Sequence, residues 1–137
     1  MQDEYDRIDV WLNSRECVSG GKGLNHGDTN VLNFIDDGQA VSMIDVDSPI
    51  HTWYATDLAG PVRDSKTMTP DQRRGLWSSF IQGYRTERPI DIDYETVRWI
   101  LRQWMLVTYV AYLNMPDPEQ KPYLKRWYSF VANPGKW

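Results

Sequence analysis

Several classes of function are thinned out by what this chain lacks. It has a single cysteine, Cys17, so no internal disulfide can form, and that economy fits a reducing compartment. Histidine is equally scarce, at two residues, His26 and His51, with no second Cys beside them to build a zinc site. Positive charge is not in excess: 15 Lys and Arg stand against 19 Asp and Glu, for a net charge of −4. A general attraction to nucleic acid or anionic membrane is therefore not expected. No apolar run approaches the roughly 18 residues of a membrane span, and no apolar stretch of a secretory signal opens the sequence. A soluble, cytoplasmic domain is the expectation. Internal repeats, heptads and low-complexity tracts are also missing.

What is present is aromatic. Seven Trp and eight Tyr supplement a hydrophobic fraction of 41%, and their large rings cover much area per residue. At 137 residues the chain is long enough for one domain with a real core. Tyr5, Ile8, Trp11 and Leu12 sit at helical spacing, predicting a helix over 3–14 behind early acids. Residues 17–23 read as a flexible connector. Gly20, Gly21, Lys22 and Gly23 invite a phosphate-cradle reading, but the P-loop spacing is missing. A short helix is predicted over 53–60, ended by Gly60 and Pro61, with a polar connector at 63–68. Thr69, Pro70 and Asp71 form an N-cap, a first-turn proline and an early acid, starting a helix that ends near Arg85. Arg88 and Pro89 break it, and Asp93 caps a long helix to about Asn114. Pro116, Pro118 and Pro122 punctuate the next connector, and a last helix is predicted over 122–131. The fold class is α+β, mostly α, with about five helices around one β-hairpin in a single domain.

That hairpin carries the polar residues of interest. An apolar run at 31–35 is broken by Asp36, Asp37 and Gly38, and a second apolar run, 40–44, ends in Asp45 and Asp47. Such a hairpin brings its ends together, so Asp28 and Asn33 at the entrance face Asp45 and Asp47 at the exit. Two carboxylates and an amide oxygen are hard ligands, of the kind that hold Mg²⁺ alongside water and substrate phosphate.

The ordered set of His26-Gly27-Asp28, Asn33, Ile44-Asp45, Trp53-Tyr54-Ala55-Thr56-Asp57-Leu58-Ala59 and Phe80-Ile81-Gln82-Gly83-Tyr84-Arg85 resembles the C-terminal lobe of the aminoglycoside phosphotransferase and choline kinase superfamily. The nearest branch is the bacterial one of stress-response and homoserine-type kinases. The resemblance runs from about Gly21 to the C-terminus. It implies a protein-kinase-like C-lobe whose family reaction moves the ATP γ-phosphate to a hydroxyl, on a small molecule or a protein Ser/Thr. Only 25 residues precede His26, so the N-terminal lobe, with its nucleotide-gripping Lys and adenine hinge, is expected to be absent from this chain. A truncated phosphotransferase with a retained Mg²⁺ and phosphate half-site is one expectation. A non-catalytic interaction module is the other. The face that docks the lobe in the family is expected to be apolar here and covered by a homodimer, a separate lobe-like partner, or the helix at 3–14.

By that resemblance Asp28 is the catalytic base or orienter of the acceptor hydroxyl. Asn33 coordinates Mg²⁺, and Asp45 bridges the metal to the ATP phosphates. Turn-capping is the plainer role for the same acids. Asp47 is open between an acid that supports the metal ligands from behind, an acceptor-binding acid and a solvated loop residue. His26 is expected behind the loop as a structural residue, and Asn30 stands where many aminoglycoside phosphotransferases carry a second His. Asp57 is expected to hold the loop backbone from a helix start, Trp53 to support the core, and Arg85 to pair with an acid near the site.

Overall fold

The computed structural model describes residues 2–14, 21–63, 68–114, 124–125, 128–129 and 131–133. The chain divides into two compact units, residues 1–16 with 98–137, and residues 17–97. The helix predicted over 122–131 lies largely outside the described residues. Among those described, four α-helices and two small antiparallel sheets form an α+β, mostly helical protein.

The first unit is held by helix α1 (Gln2–Asn13) and by helix α4 (Tyr94–Leu113) from Arg98 onward. Ile8 and Trp11 of α1 are buried, as are Ile100, Leu101, Met105, Leu106 and Tyr109 of α4, while Tyr5 stays exposed. Leu101, Met105 and Tyr109 recur every four residues, the spacing of one helical face, and Ile100 and Leu106 widen it. Trp11 stacks on Trp99 with centroids 5.6 Å apart and planes 9° off parallel. Glu4 accepts both guanidinium bonds of Arg102 at 2.7 Å, and Arg102 also lies over the Trp99 ring. That fork is a paired, shielded charge set, costly to break from either side.

The second unit contains everything the sequence marks as chemical. Its larger sheet lies outside the single hairpin that the sequence predicts. Strand β1 (Lys22–Asn25) pairs antiparallel with strand β4 (Ile50–Trp53), matching Lys22 to Trp53 and Asn25 to Ile50. The connector predicted at 17–23 thus ends in a strand, and so does the loop predicted between the hairpin and Trp53. Each strand is four residues long, too short to show a period, and neither is stable without its distant partner. The expected hairpin is present over fewer residues. Residues 31–33 form a 3-10 turn capped by Asn30, followed by β2 (Phe34–Asp36) and β3 (Val41–Met43). Phe34 faces Met43 and Asp36 faces Val41 across the pair. Asp37 closes the turn, its Oδ1 accepting from Gln39 and Ala40, while Gly38 takes the positive φ of +82° that the turn needs.

Helix α2 (Tyr54–Arg63) corrects a second expectation, for Gly60 and Pro61 do not end it. Pro61 lies inside the last turn, where its missing N–H frees the Asp57 carbonyl, and that carbonyl finds another donor in Thr29. Helix α3 (Pro70–Glu87) begins on a full capping box between Thr69 and Gln72 and buries Arg73, Trp77 and Ile81. The Asp93 carboxylate caps α4 by accepting from the Thr96 N–H at 2.7 Å. Ala55, Leu58, Ala59 and Val62 of α2, with Trp77, Ile81, Ile90, Ile92 and Val97, make the core of this unit.

Candidate functional site

One face of α2 cradles residues 26–29. Asp57, in its first turn, accepts the backbone N–H of His26 at 2.6 Å and of Gly27 at 3.0 Å through its two carboxylate oxygens. Its own carbonyl, released by Pro61, accepts the Thr29 hydroxyl at 2.5 Å. One turn on, Gly60 gives room: a Cβ there would fall 2.0 Å from Thr29 Oγ1 and 2.3 Å from its carbonyl. A further turn on, Arg63 donates to Asp28 Oδ1 at 2.5 Å, with its side chain 9% exposed against 41% for Asp28. Spacing of three residues puts Asp57, Gly60 and Arg63 along one side of the helix. Local sequence rules put Gly60 at a helix end and Arg63 in a connector, and the structure puts both inside α2. The signal that could have found Arg63 is its interval of six from Asp57, nearly two helical turns.

The loop is tied next to the hairpin exit. Asp28 donates its backbone N–H to His26 Nδ1 at 3.3 Å, so Nδ1 is the accepting ring nitrogen and Nε2 the donating one. Nε2 then donates to the Ile44 carbonyl at 2.8 Å. Gly27, at φ +86°, passes so close to Ser48 that a Cβ would sit 2.2 Å from the Ser48 carbonyl. The residue before Asp45 and the residue after Asp47 are thus both in contact with the His26-Gly27 turn. His26 is buried and its ring joins the two segments.

Asn33 is buried and sits at the mouth of the hairpin, where its carbonyl accepts the Ile44 N–H at 3.0 Å. Its side-chain Nδ2 donates to the Asp28 carbonyl at 2.9 Å, which leaves Oδ1 as the atom for a cation. Asp45 follows at φ +65°, the left-handed region that L-residues seldom occupy. Asp45 and Asp47 are exposed, and neither carboxylate takes a hydrogen bond among the described residues. An amide oxygen and carboxylates are hard donors, the kind a divalent cation such as Mg²⁺ takes. Asn30 lies between, donating Nδ2 to Asp28 Oδ2 at 3.0 Å and accepting the Leu32 N–H at 2.9 Å.

Two residues lie elsewhere. Trp53 ends β4, half-buried, with the Lys22 ammonium 4.9 Å above its ring. Arg85 was expected to pair with an acid; its guanidinium instead donates to the carbonyls of Ile90 and Ile92, at 3.0 and 3.2 Å. It therefore braces the bend after α3. Beneath the hairpin, a cavity of about 300 Å³ is lined by Phe34, Met43, Tyr54, Leu58, Phe80 and Tyr84, among others. No protein-family model matches this chain, and no curated protein sequence does so either.

Proposed function

We propose that residues 26–47 form the metal- and phosphate-binding half of a phosphotransferase site, acting on a hydroxyl acceptor with ATP as donor. The observation that carries the reading is the His26–Ile44 bond, which ties the loop bearing Asp28 to the chain entering Asp45. Asn33 Oδ1 and the Asp45 carboxylate, with Asp47 in reserve, are the groups to hold Mg²⁺. When bound, that ion neutralises phosphate charge and orients the chain of phosphates. Asp28 would receive the proton of the acceptor hydroxyl and aim its oxygen at the γ-phosphorus, the new O–P bond forming as the bond to the β,γ-bridging oxygen breaks and ADP leaves. Arg63 fixes the carboxylate through Oδ1, and Asp57 fixes the backbone beneath it. The positive φ of Asp45 is the sort of local strain that surrounding structure imposes where a side chain must point in one direction.

Calorimetric titration with ATP and Mg²⁺, wild type beside Asp45→Ala, tests this. Heat of binding in the wild type that vanishes in the variant is expected. Absence of binding at millimolar nucleotide would sink an autonomous half-site.

One observation favours a second reading, an interaction module. Ile35, Val41, Met43, Ile44 and Val46 are all exposed on or beside the hairpin. The register puts Val41 and Met43 on one face of the hairpin and Ile35 on the other, and exposed apolar side chains concentrated on so small an element favour a covering partner. On this reading a homodimer forms through the hairpin face and the acids beside it serve only to cap turns.

A further inference from the structure

The Asp28 carboxylate is gripped at both oxygens. Arg63 takes Oδ1 at 2.5 Å and Asn30 takes Oδ2 at 3.0 Å. Asn30 has a second task, because its own Oδ1 accepts the Leu32 N–H and caps the 3-10 turn at Val31–Asn33. The two tasks settle which way the amide lies. A backbone N–H must meet the oxygen, and a carboxylate must meet the NH₂. Aspartate at this position would accept twice and donate nothing, and serine would have one oxygen for both jobs.

We infer that Asn30 is a positioning residue for the proposed transfer: it locks the plane of the Asp28 carboxylate so that one lone pair of Oδ2 faces the incoming hydroxyl. The inference rests on the phosphotransferase reading above. An aspartate held at one oxygen swings about a broad χ2 well. Held at both, it presents a fixed acceptor direction. Oδ2 has two acceptor positions, and the Asn30 bond fills one, leaving the other for the proton of the acceptor. Misplacing such a group by about 1 Å costs on the order of 100-fold in rate. The charged and titratable neighbours of Asp28 are Arg63 on α2, His26 in the loop and Asp57 beneath it. Asn30 is the uncharged member of this set and donates at every pH.

The test compares the Asn30 side-chain amide by NMR at one fixed pH in the wild type and in Asp28→Asn. The Nδ2 proton bonded to Asp28 is expected downfield of an unbonded amide's, and it is expected to move upfield in Asp28→Asn, where a neutral amide replaces the carboxylate. Asn30→Asp keeps the cap but sets a like charge against Asp28 and donates nothing to it. Asn30→Ser, which also keeps a capping oxygen, should leave the unfolding temperature close to wild type. In transfer assays Asn30→Asp should lower kcat by on the order of 100-fold with the KM for ATP unchanged. Amide protons indifferent to Asp28→Asn, or an Asn30→Asp variant with unchanged kcat, overturn the inference. The wild-type amide measurement decides even if a variant fails to fold. Loss of Mg²⁺·ATP binding alongside an intact amide response overturns the phosphotransferase reading, and Asn30's role with it. The reverse pattern removes Asn30 alone.

Discussion

The Thr29 hydroxyl donates to the Asp57 carbonyl at 2.5 Å, and this is the carbonyl that Pro61 deprives of its helical partner. An interior proline normally weakens a helix by leaving the i−4 carbonyl unpaired and crowded. Here the orphan is used: it becomes an anchor for the loop that carries Asp28. Thr29→Val is expected to destabilise the protein by about 1–3 kcal/mol, the usual cost of stranding a buried acceptor. In a Pro61→Ala background, where residue 61 regains an N–H for that carbonyl, the cost of Thr29→Val should shrink. Denaturant unfolding of the four proteins of this cycle measures the coupling. Full additivity would mean that proline and threonine do not share the carbonyl.

Gly60 and the glycines of α3 make opposite predictions. A methyl group at Gly60 meets Thr29 at 2.0 Å, so Gly60→Ala must push the loop off the helix and is expected to cost about 1–3 kcal/mol. At Gly75 and Gly83 a Cβ meets nothing within 4 Å. Alanine there should stabilise by about 0.5–1 kcal/mol through better helix propensity. Thermal unfolding of the three variants separates the cases, and a stabilised Gly60→Ala would contradict the close approach.

Much of this arrangement is legible in the sequence, and the illegible parts have physical reasons. The Thr69 cap, the Asp93 cap and the Asp-Gly turn at Asp37-Gly38 are local chemistry, and each appears where its residues stand. Strands β1 and β4 escape because their pairing joins Lys22 to Trp53 across 31 positions. Four residues such as Lys-Gly-Leu-Asn carry no strand preference of their own. The end of α2 is misread for a different reason. Gly60-Pro61 is a stop signal on local rules, and a hydroxyl from residue 29 overrides it. With the helix ended too early, Arg63 falls into a connector and its pairing with Asp28 is invisible.

The hairpin turn should respond to acid. Hydrogen bonds from the backbone of Ala40, then Gln39, hold the Asp37 carboxyl below its ordinary value. A depressed carboxylate contributes stability that is present above its unfolded value, about 3.9. That contribution is lost as pH falls through the lower folded value. Amide exchange at Gln39 and Ala40 should therefore quicken as pH drops below about 4 relative to other hairpin amides, and Asp37→Ala should erase the difference. Protection that is flat with pH in this range would contradict the role of the carboxylate.

The second reading makes a prediction about salt. A symmetric dimer through the hairpin face places the same surface of two copies together, and that surface carries Asp36, Asp37, Asp45 and Asp47 beside its apolar residues. Like charges oppose such an approach and salt screens them. Sedimentation should therefore show association that strengthens from low to high ionic strength and weakens in Val41→Lys at high salt. A monomer at every salt concentration would remove the homodimer.

Manganese offers the most direct view of the proposed site. Mn²⁺ takes the same hard oxygen donors as Mg²⁺ and broadens NMR signals near it. Titrating a small amount of Mn²⁺ into the ¹⁵N-labelled chain should broaden residues 28, 33, 45 and 47 first, with the effect reversed by excess Mg²⁺ and absent in Asp45→Ala. Broadening that spreads evenly over the exposed acids, or that persists unchanged in Asp45→Ala, would contradict a metal site between the His26-Gly27-Asp28 loop and the hairpin exit.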